Sequence, residues 1–426
     1  MNISDRIRIL LYQLLEVFFP ANSQRRHILK ALSGRGSIKN IFKKKPISGK
    51  AVNAPDILET ECRKTVLVID HKVPEPDKDA GSNTIFGYIA ILRGLGLNVI
   101  FMPEDRKAAG SYYFNLIDMG VTVLYGHFNF KNWIKKNGKN ISRVFLSRPF
   151  TSFRFIGVVR KFYAGKIFYY MHDLHFLSKM RKYELSGKTK DYRDYLKTIA
   201  VESYVLNKAD VLLTPSSAER DYLASAGFGN VMAVQPYYYE TFLDKDEVSG
   251  SFLERRDIIF LGNYEHNPNV DGIVWFCNEI FPVVKKRVGS VKLYITGSHP
   301  TESVKNLQSD DVIVTGYIED ISGYFESSRV FIAPLRFGAG IKGKIITAMY
   351  YGVPVVGTSV GVEGIGMENG KNVLTADSAD EFADKVVKLY SDESLWSKIS
   401  YNSMNLVESK YNKDNLALFF KELLEI

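Results

Sequence analysis

The chain has 426 residues, 46% apolar and 24% charged. That is ordinary for a globular protein and too long for one core, so two domains of roughly 150–200 residues are expected. Cys62 and Cys277 lie far apart with no CxxC and no histidine at ligand spacing, which argues against a disulfide framework or zinc site and for a reduced, cytoplasmic setting. Of the net charge of +9, residues 1–50 hold all the excess, with eleven Lys and Arg against Asp5 and Glu16. The remainder is balanced, so a nucleic-acid-binding body with its own basic face is not expected.

In residues 1–50, Ile7, Leu10, Leu11, Leu14, Leu15 and Phe18 recur at helical spacing. The apolar stretch is too short to span a bilayer, and it lacks the uninterrupted core and cleavage site of a secretory signal. Followed by Arg25, Arg26 and Lys43–Lys45, it fits a helix lying on an anionic membrane surface. It fits equally a helix packed on the protein's own body or on a partner subunit. Residues 46–62, with Pro46 and Pro55, read as a linker, so 1–62 form a basic amphipathic arm and its tether.

From Lys64 the chain alternates apolar strands with helical patterns. Strands are expected at 65–70, 97–102, 121–124, 143–147, 166–171, 210–214 and 230–234, with a helix over 82–94. Such alternation means a parallel sheet covered on both faces, with ligands beyond the carboxyl ends of its strands. The loops 71–82 and 172–175 are therefore candidate site loops. Residues 235–250 lose periodicity and read as a joint, giving domains 63–237 and 238–426. The second series has strands at 257–261, 291–296, 311–315, 329–334, 353–358 and 372–374. Helices are expected at 270–288, 341–351, 379–390, 395–408 and 413–424, the last of which would cross back onto the first domain. The fold class is α/β, two Rossmann-like domains facing across a cleft.

One stretch of the second series has the form of an anion seat. Gly338, Ala339 and Gly340 lead into the helix expected from Ile341, with Lys342 and Lys344 in its first turn. Unpaired N–H groups and the positive helix end favour a phosphate there. The plain alternative is an ordinary βαβ connection with two solvated lysines.

Residues from about 64 to 426 resemble GT-B-fold glycosyltransferases of family 4, the retaining nucleotide-sugar-dependent class. The resemblance rests on FLGNYEHNPNVDGIVWFCNEIFPVV (260–284) and PLRFGAGIKGKIITAMYYGVPVVGTSVGVEGI (334–365). It implies a nucleotide-diphosphate sugar as donor, no cofactor and no metal, and a glycan or lipid-linked acceptor in surface-polysaccharide assembly. Many members carry two glutamates eight positions apart around the donor helix, where this chain has Ala339 and Thr347. Asn263 and Pro268 replace their usual Arg and Lys. A variant subgroup carries a basic residue, one spacer and a lysine, which Lys342 and Lys344 match. These lysines would hold the leaving diphosphate; Arg336 could assist, though a surface ion pair suits it better.

The resemblance of FYYMHDLHFL (168–177) to the strand-end His-Asp of this class puts His172 on the donor sugar. Asp173 would then orient His172 or a loop backbone, and His175 would be structural. Gly81 and Ser82 belong to a first-domain loop expected near the diphosphate and acceptor. Asp77-Lys78-Asp79 formally matches a DxD metal motif, but Asp79 more simply binds an acceptor hydroxyl or caps the next helix. Tyr317 lies where the nucleotide base is expected, and Glu363 is a candidate for the missing ribose carboxylate. Catalytic roles fall to His172 and Lys344. The alternatives are a sugar-nucleotide epimerase of related architecture and a non-catalytic binding protein on the same fold.

Overall fold

The computed structural model describes residues 52–57, 64–108, 110–338 and 340–426. The expected amphipathic arm lies outside the described residues. Within the expected 46–62 linker, the described residues 52–57 are docked on the first domain. Ile57 N–H donates to Asn137 Oδ1 at 2.8 Å, and the Trp133 indole donates to the Pro55 carbonyl at 2.8 Å.

Seven strands form the first sheet: β1 (Thr65–Asp70), β2 (Asn98–Pro103), β3 (Thr122–Val123), β4 (Arg143–Ser147), β5 (Ile167–Tyr170), β6 (Val211–Thr214) and β7 (Val231–Ala233). Their order is β3-β2-β1-β4-β5-β6-β7, all parallel. Every residue of β1 is buried, as its apolar run requires. Right-handed crossovers sort the helices by direction of travel. Moving from β1 to β3 places α1 (Ala80–Gly94) and α2 (Ser111–Asp118) on one face. The return from β3 across to β7 places α3 (Phe130–Asn137), α4 (Pro149–Phe162), α5 (His175–Ser186), α6 (Thr189–Leu206) and α7 (Ser217–Ser225) on the other. Val66 and Val68 thus pack with α1, while Leu67 and Ile69 pack with α3 to α7.

The second sheet has the order β10-β9-β8-β11-β12-β13, again parallel. Its strands are β8 (Arg256–Leu261), β9 (Leu293–Thr296), β10 (Val312–Gly316), β11 (Ser328–Ala333), β12 (Val355–Gly357) and β13 (Leu374–Thr375). The continuous helix expected over 270–288 is interrupted. It comprises α8 (Asn267–Trp275), a π turn at Phe276–Ile280 and α9 (Phe281–Val288). Pro282 supplies the cause, since it has no N–H for the preceding turn and its ring crowds that turn's carbonyl.

The glycine-loop helix, α10 (Gly343–Tyr350), starts two residues later than its pattern suggested. Lys342 is extended (φ −93°, ψ 93°) and stands at the N-cap, leaving only Lys344 in the first turn. Helices α11 (Ala379–Ser391) and α12 (Glu393–Lys410) follow, and α13 (Lys413–Leu424) returns to the first sheet. There Phe420 stands 5.0 Å from Tyr88 of α1, ring centre to ring centre, and joins the core over Val66, Val68 and Phe145.

Each sheet has a switch point where the strand order reverses, between β1 and β4 and between β8 and β11. In open parallel sheets the crevice outside these points receives ligands. All the residues discussed next lie beyond those strand ends or face them.

Candidate active site

On the first-domain side, three strand ends converge. Asp70 closes β1, Arg148 follows β4, and His172 stands two residues after β5. Arg148 Nε donates to Asp70 Oδ1 at 3.0 Å, and Arg148 Nη2 lies 3.4 Å from Asp79 Oδ1. Burial alone would push the Asp70 carboxyl up, but the His71 hydrogen bond and the Arg148 and His172 sites hold it down at about 2. Asp70 is therefore a fixed anion that anchors Arg148 at the crevice. Arg148 and His172 both have left-handed backbone, φ 64° and φ 55°. Side chains other than glycine adopt this region at a cost of about 1–3 kcal/mol, and such strain concentrates at working sites.

His172 Nε2 lies 2.8 Å from Ser147 Oγ, and its ring packs edge-on against Tyr170 at 4.6 Å. Burial, then the Arg148 charge, lowers it to about 3. It is thus a neutral imidazole at working pH, suited to hydrogen bonding and not to carrying charge. Asp173 does not orient it. Its carboxylate sits 2.5 Å from His175 Nδ1, because the turn into α5 points it away from the His172 ring. His175 is held between Asp173 and the buried Glu202, 3.3 Å away. Burial would lower it, but the two carboxylates raise it well above the ordinary histidine value. NMR of the imidazoles is expected to show no titration of His172 between pH 5 and 8 and a His175 that stays protonated throughout. A His172 midpoint near 6.5 would contradict this geometry.

Gly81 lies against this cluster: a Cβ there would fall 2.6 Å from Arg148 Nη2 and 3.1 Å from His172 Cε1. Ser82 behaves otherwise than expected. It is fully buried, its amide and hydroxyl both bound to Asp79 at 2.8 and 2.7 Å, so it serves the cap of α1 and offers no hydroxyl to a ligand. Asp77 points elsewhere, accepting from Tyr112 Oη at 2.9 Å. Among the described residues no group of three His, Cys, Asp or Glu is placed to hold a metal ion.

On the second-domain side, Lys342 is buried and its ammonium donates to the Gly340 carbonyl at 2.8 Å. Lys344 donates to Asn269 Oδ1 at 2.6 Å, with its Nζ 4.3 Å from the Phe260 ring centre. Burial lowers Lys342 to about 8 and, with the Lys342 charge adding to it, Lys344 to about 7. Two costly ammonium groups sit at the start of a helix without a carboxylate in salt-bridge contact. A nearby anion would relieve both.

The glycine loop meets the first domain directly. Gly340 has φ 70°, and a Cβ there would stand 2.6 Å from the Asp173 Cβ, so both backbone and space require glycine. Its N–H donates to Glu219 Oε1 at 3.0 Å, the same oxygen that accepts from Leu174 N–H at 3.0 Å. Thr214 donates to Glu219 Oε2 at 2.7 Å. Burial, then the Asp173 charge, raises Glu219 to about 7. The Gly338 carbonyl accepts from Arg181 Nη1 at 2.6 Å.

Glu363, the candidate for the ribose carboxylate, is engaged within the protein. Both its oxygens accept from Arg181 of α5, at 2.7 and 2.9 Å, because the short helix before it ends facing α5. Arg336 is likewise turned outward, in a two-pronged pair with Asp271 at 2.6 and 2.8 Å. Tyr317 is 53% exposed after β10, with Lys78 of the opposite domain 5.1 Å from its ring centre. The structure therefore brings Gly81, His172, Gly338, Gly340, Lys342 and Lys344 to facing strand ends, leaves Tyr317 open at the rim, and commits Ser82 and Glu363 to internal bonds. Sequence reasoning missed Asp70, Arg148, Arg181, Glu219 and Asn269. For Arg148 a signal existed: a cation placed between an apolar strand and a proline-started helix.

Comparison with known proteins is consistent with this arrangement. Residues 255–392 match the family model described as glycosyl transferases group 1. An uncharacterized 44.6 kDa protein in the cps region of Klebsiella pneumoniae is 26% identical over 203 residues, covering 45% of this chain and 50% of that one. The capsular polysaccharide biosynthesis glycosyltransferase CapM of Staphylococcus aureus is 24% identical over 211 residues, 47% of this chain and 54% of CapM. The chain thus spans about half the length of these curated relatives. Sucrose-phosphate synthase from Thermosynechococcus elongatus superposes with a TM-score of 0.64 at 15% identity, covering 85% of this chain and 98% of that one. Anabaena Alr3699/HepE in complex with UDP and glucose superposes with a TM-score of 0.59 at 12% identity, covering 85% and 99%. The fold is therefore GT-B-like: two parallel-sheet α/β domains.

Proposed function

We propose that the chain is a glycosyltransferase that moves a sugar from a nucleotide-diphosphate sugar to a glycan or lipid-linked acceptor, with retention, in surface-polysaccharide assembly. The carrying observation is the pair of ammonium groups without a carboxylate in salt-bridge contact, buried Lys342 and half-buried Lys344, at the start of α10, facing the His172 strand end. The match of residues 255–392 to a glycosyltransferase model and the likeness to a UDP-bound structure support the same reading.

In this reading the lysines hold the diphosphate as the bond from the sugar C1 to its oxygen breaks. The acceptor hydroxyl oxygen bonds to C1 on the same face, and its proton passes to the leaving phosphate oxygen. His172, neutral and hydrogen-bonded by Ser147, contacts a sugar hydroxyl. Arg148 and Gly81 stand beside it on the first-domain side, and Tyr317 offers an open ring to the base. No cofactor or metal is required, and the enzyme works in the cytoplasm, at the inner face of the membrane if residues 1–50 bind there.

A thermal-shift panel of UDP-, GDP- and dTDP-sugars tests the reading. One base is expected to raise the melting midpoint by several degrees, since ligand at about 100 times its Kd adds about 2.7 kcal/mol. No response to any of them would overturn donor binding. Incubating the responding donor without acceptor is expected to give slow hydrolysis or no change; an epimerised donor would replace transfer with epimerisation.

A further inference from the structure

We propose that the α3–α7 face of the first domain is a docking platform for an anionic lipid bilayer. This goes beyond the attachment assigned above to residues 1–50, and its test does not depend on any nucleotide sugar. Chirality of the crossovers collects these helices on one side, and their charges are not balanced. Together with the short turn at Gly138–Asn140, α3 to α7 carry fourteen Lys and Arg against six Asp and Glu, a balance of +8. Three of the six carboxylates, Asp191, Glu202 and Glu219, are buried and bound internally. On the opposite face α1, α2 and α13 carry three of each sign. The neutral average outside the arm therefore hides a polarised domain, contrary to the expectation of no basic face.

Most cations on α3, α4 and α6 are solvent-directed. Lys131 and Lys135 lie one turn apart on α3, Lys161 is exposed on α4, and Lys190, Arg193 and Lys197 form a stripe along α6. Ion pairs on this face use Lys136, Arg154, Arg160, Arg181, Lys182 and Arg220. Among the described residues, Lys131, Lys135, Lys190 and Arg193 have none. A concentration of cations on one face attracts an anionic surface within a Debye length.

Two observations favour a bilayer over a soluble polyanion. Leu185 is 62% exposed at the tip between α5 and α6, flanked by Lys182 and Lys188, an apolar contact a polyanion does not need. Residues 52–57 are fastened to α3, and the sequence that leads into them, residues 1–50, carries a balance of +9 and the Ile7–Phe18 apolar stripe. The platform also opens onto the cleft, since α4 starts after Arg148 and α5 starts at His175. A bilayer-held acceptor would arrive beside the candidate site.

The test is sedimentation of the full chain with vesicles of two-thirds phosphatidylcholine and one-third phosphatidylglycerol at 0.1 M salt. The wild type is expected to partition at least about tenfold more strongly than onto pure phosphatidylcholine, and K131E/K135E/K190E/R193E is expected to lose at least about tenfold. The glutamine set at the same positions should lose less, in the same direction, and covers the case in which the reversed variant fails to fold. Reversal of four exposed second-domain lysines (K286E/K292E/K388E/K398E) should have little effect. Vesicle binding unchanged in both face variants would overturn the proposal, because residues 1–50 would then act alone. Capture of the wild type by soluble dextran sulfate but not by vesicles would also overturn it, in favour of a polyanion site.

Discussion

Replacing Lys344 with methionine is expected to lower affinity for the donor diphosphate at least about 100-fold while making the ligand-free protein more stable. The two effects have one cause. In the free protein the ammonium is held against the Phe260 ring, with Asn269 as its polar partner and Lys342 as a like charge nearby. Its proton affinity falls to about 7, far below that of an unfolded lysine. Between about pH 7 and 10 the unfolded chain therefore binds more protons than the folded one, and stability rises with pH through that window. Methionine keeps much of the stem, removes the charge and should abolish that rise. At neutral pH its melting midpoint should exceed that of the wild type, by about 2–4 °C for each kcal/mol gained.

The donor supplies what the free site lacks. A diphosphate in contact with Lys342 and Lys344 favours the protonated form of both, so binding takes up protons and weakens as pH climbs past about 8. Calorimetry with UDP, or with whichever nucleotide responds, reads affinity in two buffers of different ionisation heat and counts the protons. Unchanged affinity in the methionine variant, or a lower melting point in the ligand-free state, would rule out the lysine seat.

How far the sequence reveals this molecule depends on the range of the interactions involved. Parallel strands were legible because each is buried on both faces and reads as an unbroken apolar run; the expected 65–70 and 143–147 coincide with β1 and β4. Lys342 and Lys344 were legible because their spacing is local. The start of α10 was misread because the pattern of apolar residues says nothing about the extended backbone of Lys342. Glu219 and Arg181 stayed hidden for another reason: their partners Gly340 and Glu363 lie 121 and 182 positions away, in the other domain. No periodicity connects such pairs. The basic face was invisible to a charge average taken along the chain, since it arises only when crossover handedness sorts helices in space.

Glu219, alongside Arg181, couples the two halves of the candidate site, and its removal is expected to have the second large effect. One oxygen accepts both the Leu174 amide, in the loop that carries His172 and Asp173, and the Gly340 amide, in the loop that carries Lys342. In Glu219→Ala both donors lose their partner in a buried setting, at about 1–3 kcal/mol each. We expect a clearly lowered melting midpoint and a fall in kcat/KM of about 100-fold, with the glycine loop left tied to the first domain through Arg181 and the Gly338 carbonyl but not to the His172 loop. Glu219→Gln separates geometry from charge. Its carbonyl oxygen can still accept both amides, and the Thr214 hydroxyl can turn to accept from the new amide group. Most of the stability should therefore return. The pH dependence should not. With its carboxyl raised to about 7, wild-type Glu219 binds a proton more tightly when folded. Its contribution is fully present below the unfolded value near 4.5 and is lost as pH rises through about 7. Melting curves of wild type and Glu219→Gln across pH 4.5–8 should converge or cross as that contribution disappears. Parallel curves would mean that the carboxylate is already ionised throughout this range, and an unperturbed Glu219→Ala would mean that the two loops are held by other contacts.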